Sequence, residues 1–134
     1  MKDNKRQYHH IKDERGFTLI EIMVVVVIIG LLAGLVGPRI FRNLERANVE
    51  TARTQMANLK TALATYRLDV GRYPDQLNCL INPCGEGWSG PYLDSDTIPQ
   101  DPWKNEYQYS VRDGGRAFTL TCSGGGSETI TVNG

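Results

Sequence analysis

The polarity of the chain changes character along its length. Residues 1–16 are polar and rich in charge, residues 17–37 are apolar with few interruptions, and beyond Pro38 the apolar positions become periodic. As a helix, residues 17–37 would rise roughly 32 Å, close to the ~30 Å hydrocarbon core of a bilayer, so a membrane-spanning helix is predicted there. Glu21 interrupts the apolar run. A carboxylate near a bilayer interior costs roughly 2.5–3.5 kcal/mol on insertion scales, so this one needs a reason. Gly30 and Gly34, spaced as Gly-x-x-x-Gly, offer a face on which helices can approach closely, with simple flexibility as the bland alternative.

Pro38 ends the uninterrupted apolar run. Proline removes a backbone hydrogen bond, so a kink or weak point is expected at this position. Past it, Val49, Met56, Leu63 and Val70 recur at heptad spacing, and Ala52, Leu59 and Tyr66 follow the first three at the d-type offset. Arg53, Asn58, Lys60 and Arg67 fall between them, which makes an amphipathic helix. A coiled coil would satisfy the stripe, but the chain soon leaves helix, so packing on the protein's own small sheet is the better fit. Gly71 is placed as a C-cap and Pro74 lies just beyond, so the helix is predicted from about Phe17 to Val70.

Residues 71–103 are punctuated by glycine and proline and predict a long loop. Three strand signals follow. Tyr107, Tyr109 and Val111 alternate with polar residues. Phe118, Leu120 and Cys122 do the same after the turn Asp113-Gly114-Gly115, and Ile130 and Val132 follow Gly124-Gly125-Gly126. This is the pattern of a three-stranded antiparallel meander, whose apolar face could cover the helical stripe to give an α+β head.

The 134 residues suit a single small domain, and their formal net charge is zero. The charge is unevenly placed. Lys2, Lys5, Arg6, Lys12 and Arg15 outweigh Asp3, Asp13 and Glu14 in the first 16 residues, which leaves the remainder slightly acidic. Basic residues ahead of a span favour a cytoplasmic N-terminus, with the head across the membrane. The acidic remainder has no basic block, which argues against a nucleic-acid partner.

A head this small gains from a covalent staple, and outside the cytoplasm Cys79, Cys84 and Cys122 could supply one. Cys79–Cys84, closing a short loop around Pro83, is the expected pair; pairing of either with Cys122 stays open. Both histidines, His9 and His10, precede Gly16, so zinc binding is not expected in the rest of the chain and histidine-based catalysis has no residue there. No phosphate loop or dinucleotide motif occurs, so no catalytic site is expected. Trp88, Tyr92 and Trp103 are expected to pack rather than form a recognition patch. Asp94 and Asp96 are expected to be exposed loop acids rather than cation ligands.

The junction Gly16-Phe17-Thr18-Leu19-Ile20-Glu21 resembles the class III signal of type IV pilin-like proteins. An ordinary secretory signal is cut after its apolar stretch, whereas a cut at Gly16 leaves that stretch on the product. A plain signal anchor would fit the hydropathy but gives no reason for Glu21. Further along, Tyr66-Arg67-Leu68-Asp69, Gly71-Arg72-Tyr73-Pro74, Trp88, Gly90-Pro91-Tyr92-Leu93 and Asp101-Pro102-Trp103, with Asn105, Tyr107 and Tyr109, are similar to the major pseudopilins of type II secretion.

That resemblance implies a type IV pilin-like fold with a cleaved leader (residues 1–16), a transmembrane and filament-core helix (17–37), and an amphipathic helix plus periplasmic head (38–134). It implies that a prepilin peptidase cuts between Gly16 and Phe17 and methylates the Phe17 amine. The subunit would sit in the inner membrane in a single pass. It would then join a homo-oligomeric periplasmic filament with minor pseudopilins and an inner-membrane assembly platform, and the filament would drive folded proteins across the outer membrane. Glu21 would pair with the Phe17 amine of a neighbour, since opposite charges in an apolar bundle attract strongly. Pro38 would mark where the helix loosens on assembly. A surface pilus serving adhesion, motility or DNA uptake is the alternative, and a minor tip component a weaker one.

The family's pattern also includes a calcium site built by several aspartates near the C-terminus. Here the corresponding stretch, Ser123 to Thr129, has Glu128 as its one acid. Calcium takes 6–8 oxygens, so a calcium cofactor is not expected.

Overall fold

A computed structural model describes residues 16–125 and 129–134. Residues 1–15 of the expected leader, and Gly126, Ser127 and Glu128 of the expected glycine loop, lie outside the described residues. The chain divides into two compact units, Met1–Ile40 and Phe41–Gly134.

One helix, α1, is assigned over Leu19–Val70, with Pro38 inside it. The expected weak point is therefore not a break in the assigned helix, although proline has no N–H to give the Gly34 carbonyl. In the first unit the apolar residues of α1 are exposed, and its most apolar stretch buries nothing, so by length and composition it could cross a membrane. A Cβ added at Gly30 or Gly34 would meet no atom within 4 Å. The helix ends where Gly71 adopts φ +88° and donates its N–H to the Arg67 carbonyl at 2.8 Å. That left-handed conformation is open to glycine and strained for most other residues.

The second unit holds the core. Ala52, Met56, Leu59, Leu63 and Tyr66 of the predicted stripe are buried, Ala62 joins them, and Val49 and Val70 at the ends of the stripe are half-buried. Against them stands a three-stranded antiparallel sheet in the order β1 (Gln108–Arg112), β2 (Ala117–Cys122), β3 (Ile130–Asn133). Its register pairs Tyr109 with Leu120, Val111 with Phe118, and Cys122 with Ile130. The central strand sends Phe118, Leu120 and Cys122 inward, each fully buried. Burying a Leu, Phe or Met side chain is worth about 1.5–3 kcal/mol, so this alternation fixes which face of the sheet meets the helix. Tyr107, expected in the first strand, lies just before it.

The predicted loop contains a short 3-10 helix, Leu77–Leu80, that had no signal in the polarity pattern. It sends Leu77, Cys79 and Leu80 into the core beside Tyr73, whose ring meets Phe118 edge-on at 4.8 Å. Within this unit the long segment between helix and sheet is thus part of the core.

Candidate functional site

The junction begins with a local reason for Glu21. Thr18 is the residue before α1, and its hydroxyl oxygen accepts the Glu21 N–H at 3.3 Å. In return, Oε2 of Glu21 accepts the Thr18 N–H at 3.3 Å. This reciprocal pair is a capping box, which satisfies two of the donors that a helix start leaves unpaired. The carboxylate also lies at the positive end of the helix dipole. The Thr-x-x-Glu spacing was legible in the sequence, and reading Glu21 only as a partner for another chain missed it. Gly16, Phe17 and Glu21 are all exposed at this helix start.

In the head unit, the cysteines resolve into one pair and one thiol. Cys79 and Cys84 are joined, and Cys122 is free and buried. Both half-cystine carbonyls are anchored. The Trp88 indole donates to the Cys79 carbonyl at 2.7 Å, and the Tyr66 hydroxyl donates to the Cys84 carbonyl at 3.3 Å. The disulfide loop is thereby tied to α1 and to the segment that follows it.

The loop motifs have comparable roles. The Tyr92 hydroxyl donates to Asp69 at 2.8 Å and accepts the Ser89 N–H at 3.0 Å. Its ring meets Tyr66 and Trp88 edge-on. Gly90 sits between the last of these rings: a Cβ there would stand 2.7 Å from Trp88 Cζ2 and 2.8 Å from Tyr92 Cδ2. The peptide bond from Gly90 to Pro91 is cis. Tyr109 donates to the Pro74 carbonyl at 2.7 Å, and Tyr107 donates to Gln55 of α1. The Arg67 guanidinium lies 4.9 Å from the Tyr73 ring centre. Trp88, Tyr92 and Trp103 are each half-buried and bonded within the head, so packing accounts for them.

Asp101 was not singled out as a site by sequence reasoning. It is only 3% exposed. Its Oδ1 accepts the N–H groups of Trp103 at 3.0 Å and Asn105 at 2.7 Å. Its Oδ2 accepts the Cys122 thiol at 3.3 Å. The Trp103 indole in turn donates to Glu45 of α1 at 3.3 Å. A buried carboxylate is tolerated when its lone pairs are met in this way. Burial is the main cause of a raised pKa for the Cys122 thiol, with Asp101 adding to it. Burial likewise pushes up the Tyr107 and Tyr109 hydroxyls.

Among the described residues, no group of three or more His, Cys, Asp or Glu is placed to hold a metal. Asp101, the buried carboxylate, has both oxygens engaged by protein donors. Glu128 lies outside the described residues. Asp94 and Asp96 are exposed loop acids.

An apolar helix opened by a Gly-Phe junction, with a small α+β head on the same chain, defines the type IV pilin-like class. Residues 11–37 match the prokaryotic N-terminal methylation motif. Residues 39–131 match type II secretion system protein G, and the chain belongs to that family. It is 43% identical to the type II secretion system core protein G of Aeromonas hydrophila over 102 residues, covering 71% of each chain. It is 40% identical to that of Vibrio cholerae over 126 residues, covering 87% of this chain and 85% of that one. Among solved structures, the fold is like the major pseudopilin from the type 2 secretion system of enterohaemorrhagic Escherichia coli. The TM-score is 0.53 at 21% identity, over 68% of this chain and 90% of that one, a likeness of fold alone.

Proposed function

We propose that this chain is the structural subunit of a type II secretion pseudopilus, the periplasmic filament that drives export of folded proteins across the outer membrane. The observation that carries the proposal is the join of two signals in one chain. An exposed apolar helix begins at a methylation motif, and the rest of the chain matches the protein G family. The role is structural and requires no catalytic site.

In this reading a prepilin peptidase cuts between Gly16 and Phe17 and methylates the new amine. The helix then holds the subunit in the inner membrane with its head in the periplasm, until an assembly platform and minor pseudopilins bring copies together. In the filament Glu21 faces the Phe17 amine of a neighbour, and Pro38 is the place where the helix gives. Calcium has no part in this reading.

Deleting the gene tests the role. Folded exoproteins should accumulate in the periplasm, and the full-length chain should restore their release. Normal secretion alongside lost twitching or adhesion would instead identify a surface pilin.

A further inference from the structure

Within the head unit, charge is sorted to opposite flanks. Arg46, Arg53, Lys60 and Arg67 recur every seventh residue along α1, and all four are exposed. Seven residues are nearly two helical turns, so these cations form one slowly drifting row with a rise of about 10.5 Å from each to the next. Between Arg46 and Arg67 the helix carries a single acid, Glu50. The segment from Tyr73 to Trp103 has the opposite character, with five acids and no lysine or arginine. Two of those acids, Asp94 and Asp96, are exposed on a loop beside α1, where Asp94 and Ser95 share a groove with Asn58, Thr61 and Thr65. At about 100° per residue, Asn58 and Thr65 lie roughly 140–160° around the helix from Lys60. The acidic loop and the cation row therefore face away from each other. Arg46, Lys60, Asp94 and Asp96 make no ion pair among the described residues.

We propose that the cation row of one copy docks the Asp94–Asp96 loop of a second copy lying alongside it in the same orientation. The occupant follows from charge complementarity, because the chain itself carries the matching acidic loop on its other flank. Each copy then offers a basic flank to one neighbour and an acidic flank to the next. Such a contact is heterologous, and it repeats as an open helical array when the rotation does not close. A two-fold contact through either flank would instead set like charges against each other. An acidic partner of another kind would meet the row but leave the opposite loop without a role. The row repeats along the helix, so the loop can still find a cation after the axial shift that a helical filament imposes on neighbouring subunits. Exposed ion pairs are individually weak, and their arrangement acts chiefly on which partner and which register are chosen. The inference deepens the filament-subunit reading above and rests on it.

The test exchanges the charges in the full-length chain, overproduced in cells that carry the rest of the secretion system, and measures the yield of sheared filaments. Arg46→Glu/Lys60→Glu and Asp94→Lys/Asp96→Lys should each lower the yield about tenfold, since each sets like charges across the contact. The chain with all four substitutions should return to within about twofold of the parent. Co-expressing the two double variants should also restore filaments containing both chains, because the acidic row of one then meets the basic loop of the other. A folding defect in either variant could not be rescued in that way. Parental yield from either double variant overturns the inference, and so does failure of both the fourfold exchange and the co-expression to restore filaments. Both outcomes leave the filament-subunit reading standing as long as the parent chain assembles. A parent chain that forms no filaments in those cells overturns that reading and the inference together.

Discussion

Cys122 and Asp101, far apart in the chain, meet in the head interior, the thiol donating to Oδ2 of the carboxylate at 3.3 Å. Asp101 is thereby the acceptor for one side-chain donor and two backbone donors at once. Cys122→Ser keeps a donor at the site and should melt close to the parent. Cys122→Ala strands Oδ2 and should lower stability by about 1–3 kcal/mol. Asp101→Ala strands all three donors and should cost about 3 kcal/mol or more. Chemical denaturation of the detergent-solubilised chain checks the order; an Asp101→Ala protein as stable as the parent would refute the account.

The alkaline limb of stability follows from the same interior. Folding raises the pKa of the Cys122 thiol and of the Tyr107 and Tyr109 hydroxyls, chiefly by burial. A raised folded-state pKa means the native state holds its proton more tightly than the unfolded chain. Stability is therefore full at neutral pH and falls as pH climbs past the ordinary values, about 8.5 for cysteine and about 10 for tyrosine. The Tyr107→Phe/Tyr109→Phe protein should start from a lower melting temperature, because Gln55 and the Pro74 carbonyl lose their donors. Its decline above about pH 10 should be shallower. Parallel declines would mean that other groups set the limb.

Reduction gives a third expectation. In the chain-entropy account, closing so short a loop as Cys79–Cys84 is worth about 2 kcal/mol, with native-state effects added or subtracted. The Cys79→Ser/Cys84→Ser protein should lose about that much in denaturant, while Trp88 keeps its bond to the backbone at residue 79. A much larger loss, with a changed tryptophan emission spectrum, would show that the disulfide positions the Trp88 segment as well as tightening the loop.

Periodicity made much of this fold legible. The heptad stripe from Ala52 to Tyr66 and the alternation of Phe118, Leu120 and Cys122 are one-dimensional traces of faces that must be buried. The loop was opaque for the opposite reason. Tyr73, Leu77 and Leu80 enter the core from a segment with no repeating geometry, so nothing in their spacing marks them as interior. Asp101 was hidden because most of what makes its burial tolerable is backbone: the N–H groups of Trp103 and Asn105 carry no side-chain signature.

Glu21 has two roles to separate, one within its own chain and one proposed toward a neighbour. Thr18→Ala removes the hydroxyl of the capping box and leaves the carboxylate, so the helix start should fray while filaments still form. Glu21→Gln keeps an acceptor for the Thr18 N–H and removes the charge. If pairing with the Phe17 amine drives assembly, Glu21→Gln should insert and cap normally yet fail to form filaments. Glu21→Val loses both contributions, so it cannot tell the roles apart. Electron microscopy of sheared filaments, with circular dichroism of the detergent-solubilised subunits, reads both at once. Normal filaments from Glu21→Gln would reduce Glu21 to a cap, because uncharged glutamine could not neutralise an ammonium in an apolar bundle.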